Sequence, residues 1–225
     1  MDIDSPESNA KLAAFLKEKY GGIDILVNNA GIAFKNDATE PFGVQAKQTV
    51  GTNYFSVKNT CEELFPLLRD GARVVNVSSY AGFLLHIKDG ILKAKFASND
   101  LTVSELDKLM KNFIASAQEG NHADKGWPNS TYVVSKIGLS ALTRIQHNEM
   151  VKDGKQKDVA INHIHPGYVD TDMSSHRGKL SIEEGARASI FAATLPPNTD
   201  VKGQYIWFDC SIIDWVNGPM PEKWS

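Results

Sequence analysis

Cysteine is scarce in this chain of 225 residues, which carries only Cys61 and Cys210. Cys61 falls within an apolar helical pattern, so both are read as free, reduced thiols of a cytosolic protein. Long hydrophobic runs are missing as well. No window approaches a membrane span, and Met1-Asp2-Ile3-Asp4 is too acidic for a signal peptide. A cytoplasmic location away from membranes is the expectation. Neither sign of charge is in large excess: the net charge of -3 offers no nucleic-acid footprint and no polybasic patch. Internal repeats and low-complexity linkers are absent too. What remains is 42% hydrophobic residues spread over a length that suits one domain with a sizeable core.

Strand-like and helix-like segments alternate through that length. Ser5-Pro6-Glu7 reads as a helix start, with Leu12, Phe15 and Leu16 on one side and a stop at Gly21-Gly22. Residues 23–27 form an apolar run of the buried parallel-strand type. One long helix is expected over 42–68, carrying Val50, Tyr54, Val57, Cys61, Leu64 and Leu68 at helical spacing. Strands are expected at 73–77, 159–164 and 203–208. Between the first two lie a helix at 102–120, opened by a Thr102–Glu105 capping box, and another at 132–150. A helix from Ser181 ends before Pro196-Pro197. This alternation argues for a parallel sheet with helices on both faces, and for ligands at the carboxyl ends of its strands.

The chemistry gathers at those ends. Ser130-Thr131-Tyr132-Val133-Val134-Ser135-Lys136 puts a phenol and an amine four apart on one helix face. An ammonium beside a phenol favours the phenolate and lowers a pKa normally near 10. Asn76-Val77-Ser78-Ser79 delivers serines from a strand tip toward the same place. Asn28-Asn29-Ala30-Gly31 and Pro166-Gly167-Tyr168-Val169-Asp170-Thr171 end two further strands, and Asn53 lies inside the long helix. Tyr54 and Lys58 repeat the four-residue spacing, but Tyr54 belongs to the apolar stripe and is read as core. His163 and His165 share one strand face as two metal ligands might. No third ligand is evident, so no metal site is assigned. Asp170 and Asp172 are read as solvated loop carboxylates.

Taken together, these motifs resemble the short-chain dehydrogenase/reductase family, and within it the branch of monomeric NADPH-dependent carbonyl reductases. The resemblance covers nearly the whole chain. Its most specific parts are the 26–34 stretch, Gly126-Trp127-Pro128 and the helical insertion at about 84–127. It implies a Rossmann-type doubly wound α/β fold and a small-molecule carbonyl substrate: an aldehyde, ketone or quinone. Tyr132 would be the general acid, with Ser79 on the substrate oxygen. Lys136 would bind the nicotinamide ribose and depress the tyrosine pKa, and Asn53 would hold a water of the proton relay. Asn29, Pro166, Gly167, Val169 and Thr171, together with Tyr132 and Lys136, would line the nicotinamide half of NADPH. Asp2 and Ile3 would meet its adenine. The insertion would cover the surface that relatives use to oligomerise, which implies a monomer.

Two departures accompany the resemblance. The family's glycine-rich phosphate loop, T-G-x-x-x-G-x-G, does not occur, and with it the first strands and helices are missing, so a truncated form is expected. The 23–27 strand then becomes an exposed, apolar sheet edge. His163-Ile164-His165 stands where carbonyl reductases carry small residues and cysteines, and Tyr168 replaces a frequent tryptophan. The alternative to an enzyme is a catalytically inactive form that acts as an interaction protein through its open edge. A metal hydrolase built on His163 and His165 is a third.

Overall fold

The computed structural model describes residues 1–35 and 37–221. Helix α1, Pro6–Tyr20, starts where the Ser5 hydroxyl accepts the Ser8 N–H and stops at Gly21 in the left-handed conformation. Leu12 and Leu16 are half-buried, but Phe15 stays exposed, edge-on to Tyr20. Strand β1, Ile23–Asn28, follows. The expected long helix is four pieces: α2, Phe42–Val50; a π-helical turn, Gly51–Ser56; α3, Val57–Leu64; and a short 3₁₀ turn, Phe65–Leu67. Pro66, which has no N–H to donate, falls in that last turn. Strand β2, Leu68–Val77, therefore begins where the helix was expected to end.

Beyond β2 come α4, Gly90–Ala97, and α5, Val103–Glu119, whose Thr102–Glu105 capping box forms as expected. Helix α6, Thr131–Asp153, leads to strand β3, Ala160–Ile164, and α7 spans Ile182–Ala193. The sheet runs β1-β2-β3 and then β4, Tyr205–Ile206, all parallel. The last strand is thus much shorter than the 203–208 expected. Cys210, at φ 72°, turns the chain back, and β5, Ile212–Ile213, adds an antiparallel edge.

Strand alternation divides the core. Val75, Ile164 and Ile206 meet Ala188 and Ala192 of α7, whereas Val74 and Ile161 share a cluster with Leu64 of α3. The largest cluster joins α2, α5 and α6 through Val50, Met110, Phe113, Trp127 and Ile137. Each such side chain, fully buried, stabilises the fold by about 1.5–3 kcal/mol. β1 is the outer strand, as expected. Ile25 and Val27 on it are 50% and 41% exposed, so its apolar run is not buried on both faces.

Candidate active site

Helix α6 is buried along most of its first two-thirds, yet it turns one polar row toward the sheet: Tyr132, Lys136, Ser140 and Thr143. Each finds its partner at a strand tip. Thr143 Oγ1 accepts from Asn76 Nδ2 at 2.8 Å, and Asn76 Oδ1 accepts from Asn28 Nδ2 at 2.7 Å, joining α6 to β2 and β1. Ser140 Oγ lies 2.7 Å from Ser78 Oγ and 3.0 Å from His163 Nδ1. Ser78 is buried in that chain of contacts. Ser79, one residue on, is half-buried and lines the cleft with Tyr132; its hydroxyl accepts the Ala81 N–H at 3.2 Å and works to lower the Tyr132 pKa.

The cleft holds about 1090 Å³. Of the expected site residues, it gathers Asn29, Ser79, Tyr132, Lys136, Pro166, Gly167, Val169 and Thr171. Phe34 and Tyr168, from the 26–34 and 166–171 stretches, line it as well, together with Met173, which had no motif to announce it. Asn53, 1% exposed in the π-helical turn, sits behind the lining. Its side chain accepts the Ile32 N–H at 2.8 Å and donates to Ile32 O at 2.9 Å and Ser135 Oγ at 3.0 Å. The amide thus fastens the loop after β1. Asp2 and Ile3 are not among the lining residues: Asp2 accepts the Asp4 N–H, and Ile3 packs against Val57, Cys61 and Leu139.

Lys136 is 4% exposed, and burial pulls its pKa down to about 8. Its ammonium donates to Val77 O at 2.7 Å and lies 5.7 Å from the centre of the Tyr132 ring. An ammonium has three donors, so two remain for hydroxyl groups such as those of a ribose. That spare capacity in a buried cation, beside the cleft, is what fits the nicotinamide end of a dinucleotide. The expected depression of the tyrosine is not found in the protein alone. Burial raises Tyr132, and the Ser79 hydroxyl opposes it. The physical reason is that Lys136, pulled down to about 8, has lost its proton before a phenol so raised would ionise, and offers it no cation then.

Gly167, at φ 85°, turns the chain beneath the cleft, where a Cβ would collide with Leu180. Val169 then pairs with Leu180, and the Ser174 hydroxyl closes a turn on Thr171. Lys35 reaches over from the other rim to Asp172 O and to Ser175 Oγ at 2.9 Å. Asp170 and Asp172 both meet His176, at 2.9 and 3.0 Å, and raise its pKa. His163 stacks on Tyr205 at 4.5 Å, and burial, then the Arg144 charge, lowers its pKa to about 3. His165 faces Tyr80 and Gly167 instead. Among the described residues no three His, Cys, Asp or Glu form a metal-binding group. Cys61 is buried, its thiol pushed up to about 12.

A family model described as short chain dehydrogenase matches residues 1–111. Carbonyl reductase [NADPH] 3 of Rattus norvegicus is 42% identical over 208 residues, 92% of this chain and 75% of the relative. Carbonyl reductase [NADPH] 1 of Mus musculus is also 42% identical, over 209 residues and the same shares of the two chains. Among solved structures, salutaridine reductase from Papaver somniferum superposes with a TM-score of 0.80 at 28% identity, covering 93% of this chain and 81% of the other. With its parallel sheet, its serine-tipped strand and its tyrosine–lysine helix, the chain belongs to the short-chain dehydrogenase/reductase family.

Proposed function

We propose that this protein reduces aldehydes, ketones or quinones with NADPH, using Tyr132 as the general acid. The observation that carries the reading is the meeting of the Ser79 hydroxyl and the Tyr132 phenol in the cleft, with Lys136 buried behind them. The names of the relatives at 42% identity support the substrate class and the cofactor. NADPH, when bound, supplies the hydride. Asn29, Pro166, Gly167, Val169 and Thr171 would hold its nicotinamide half, Lys136 its ribose hydroxyls, and Asp2 and Ile3 its adenine.

Tyr132 gives its proton to the substrate oxygen, and the Ser79 hydroxyl steadies that oxygen as charge develops on it. A phenol raised by burial stays protonated at neutral pH, so the acid is present before substrate arrives. A positioned acid of this kind contributes about 10²–10⁴-fold in rate. Phe34, Tyr168 and Met173 give the substrate an apolar, partly aromatic seat. The unit is a cytoplasmic monomer in this reading: α5 lies across α2 and α6, and no described helix is long and apolar enough to cross a membrane.

Calorimetric titration of NADPH, followed by absorbance at 340 nm with menadione present, tests the proposal. Saturable binding and turnover are expected; a folded chain showing neither would overturn it. The second reading, an interaction protein, draws on the exposure of Ile25 and Val27 along the β1 edge. Sedimentation of the same sample as a higher-order assembly would favour it.

A further inference from the structure

One peptide group next to the site is held at both ends by side chains. The Ser79–Tyr80 peptide has its C=O bonded by the Tyr205 hydroxyl at 2.5 Å, and its N–H donates to His165 Nδ1 at 2.9 Å. The same nitrogen accepts the Gly167 N–H at 3.3 Å. His165 is 2% exposed, in a wall of aromatic rings: Trp207 at 4.4 Å, with Phe208 and Tyr80 both at 6.2 Å. Accepting two N–H groups requires Nδ1 to be unprotonated, which places the ring proton on Nε2. Both jaws come from rigid elements, Tyr205 from β4 and His165 from the end of β3.

We infer that His165 is a positioning residue for the carbonyl reduction, clamping the Ser79–Tyr80 peptide with Tyr205 while pinning the Gly167 turn. A peptide plane gripped at its oxygen and its hydrogen cannot rotate, so the ψ angle of Ser79 is fixed. Ser79 stands at φ -175° and ψ 162°. Fixing ψ sets the direction in which the Cβ of Ser79 leaves the gripped peptide plane, and hence the reach of its hydroxyl toward Tyr132. The bond to Gly167 ties the polariser of the substrate oxygen to the turn that would seat the nicotinamide. Two loops from different strands thus share one nitrogen as their common reference. A misplacement near 1 Å at a reacting centre can lower rate by about 100-fold. This inference rests on the proposed reductase activity for its rate consequence, though not for the clamp itself.

Two variants separate acceptor from bulk. His165→Leu keeps an apolar filling without an acceptor, and His165→Asn places an amide oxygen close to where Nδ1 stood. Steady-state rates with NADPH and menadione are expected to fall about 10–100-fold in kcat for the leucine variant, with little change in the menadione KM, and to recover to within about 3-fold for the asparagine variant. Amide hydrogen exchange at Tyr80 and Gly167 is read on the same proteins and does not need turnover. It should be fast in the leucine variant and slow in wild type and asparagine variant. Titration of ¹³Cζ-labelled Tyr132 reports the Ser79 hydroxyl directly; its midpoint should move further up in the leucine variant alone. Wild-type exchange and wild-type tyrosine titration in the leucine variant would overturn the inference, as would equal damage by both substitutions. An inactive wild type with protected Tyr80 and Gly167 amides that are released by the leucine substitution would count against the reductase reading and uphold the clamp.

Discussion

Two tyrosine–lysine pairs with the same spacing stand on different helices of this molecule, and their surroundings set them apart. The Tyr54 hydroxyl donates to Asp107 at 2.8 Å, while Lys58 lies 3.2 Å from both Asp107 and Glu62. Burial, then the Asp107 charge, raises the Tyr54 phenol out of reach of any proton transfer. Burial pulls Lys58 down, but its two carboxylates outweigh that and leave it raised. Around Lys136 no carboxylate is found among its described partners, and its pKa falls to about 8. Spacing alone therefore creates no acid. What separates the pairs is the company: anions and packing around one, a serine hydroxyl and an open cleft around the other.

Breaking the second pair should give the largest effect. Tyr132→Phe is expected to lower kcat by at least about 100-fold. Tyr54→Phe should leave kcat within about 3-fold and lower stability by about 1–2 kcal/mol, because Asp107 loses a donor. Rates alongside urea unfolding check both, and a Tyr54 variant as inactive as the Tyr132 variant would erase the distinction.

Lys136 offers a smaller and sharper contrast. Its folded pKa of about 8 lies below the 10.5 of an unfolded lysine. The unfolded chain thus binds more protons between those values, and stability rises as pH climbs through that window. At neutral pH the desolvated ammonium works against the fold. Lys136→Met should therefore raise the melting temperature by about 2–4 °C, near 1 kcal/mol, while it impairs turnover. In ¹³Cε NMR titrations Lys136 should turn over near 8 and Lys58 above 10.5. Coincident titration curves would contradict the contrast drawn here. The smallest effect belongs to Asp107→Asn, which loosens the Tyr54–Lys58 group and should cost about 0.5–1 kcal/mol in urea unfolding with kcat unchanged.

Much of this architecture is legible in local pattern. The Thr102–Glu105 capping box, the Ser5-Pro6 start and the strand tips at Asn28, Ser79 and Pro166 are short-range signals, and each is realised in space. Less legible is whatever depends on distant partners. Tyr205 lies 126 residues from the Ser79 carbonyl it bonds, inside a two-residue strand. The reversal at Cys210 uses a left-handed backbone on a residue type that gives no hint of it. The lowered pKa of Lys136 is set by burial, which helical spacing does not encode. Phe15 was read onto the apolar side of α1, yet β1 is an edge, and no neighbour comes far enough out to cover it.

The π-helical turn has a consequence of another kind. A turn of this sort closes its hydrogen bonds five residues back instead of four, accommodating one residue more than a regular helical turn. Asn53 is carried on that surplus, and from there it fastens Ile32 and Ser135. The alignment of α2 with α3 is therefore stored as a number of residues, largely independent of which residues they are. An exchange at Thr52 or Phe55 leaves the count intact. Loss of any one position from 51–56 would rotate one half of the helix against the other by about 100°, and the Asn53 anchor would be out of phase with one of its partners. For this segment, an insertion or deletion is a graver event than a substitution.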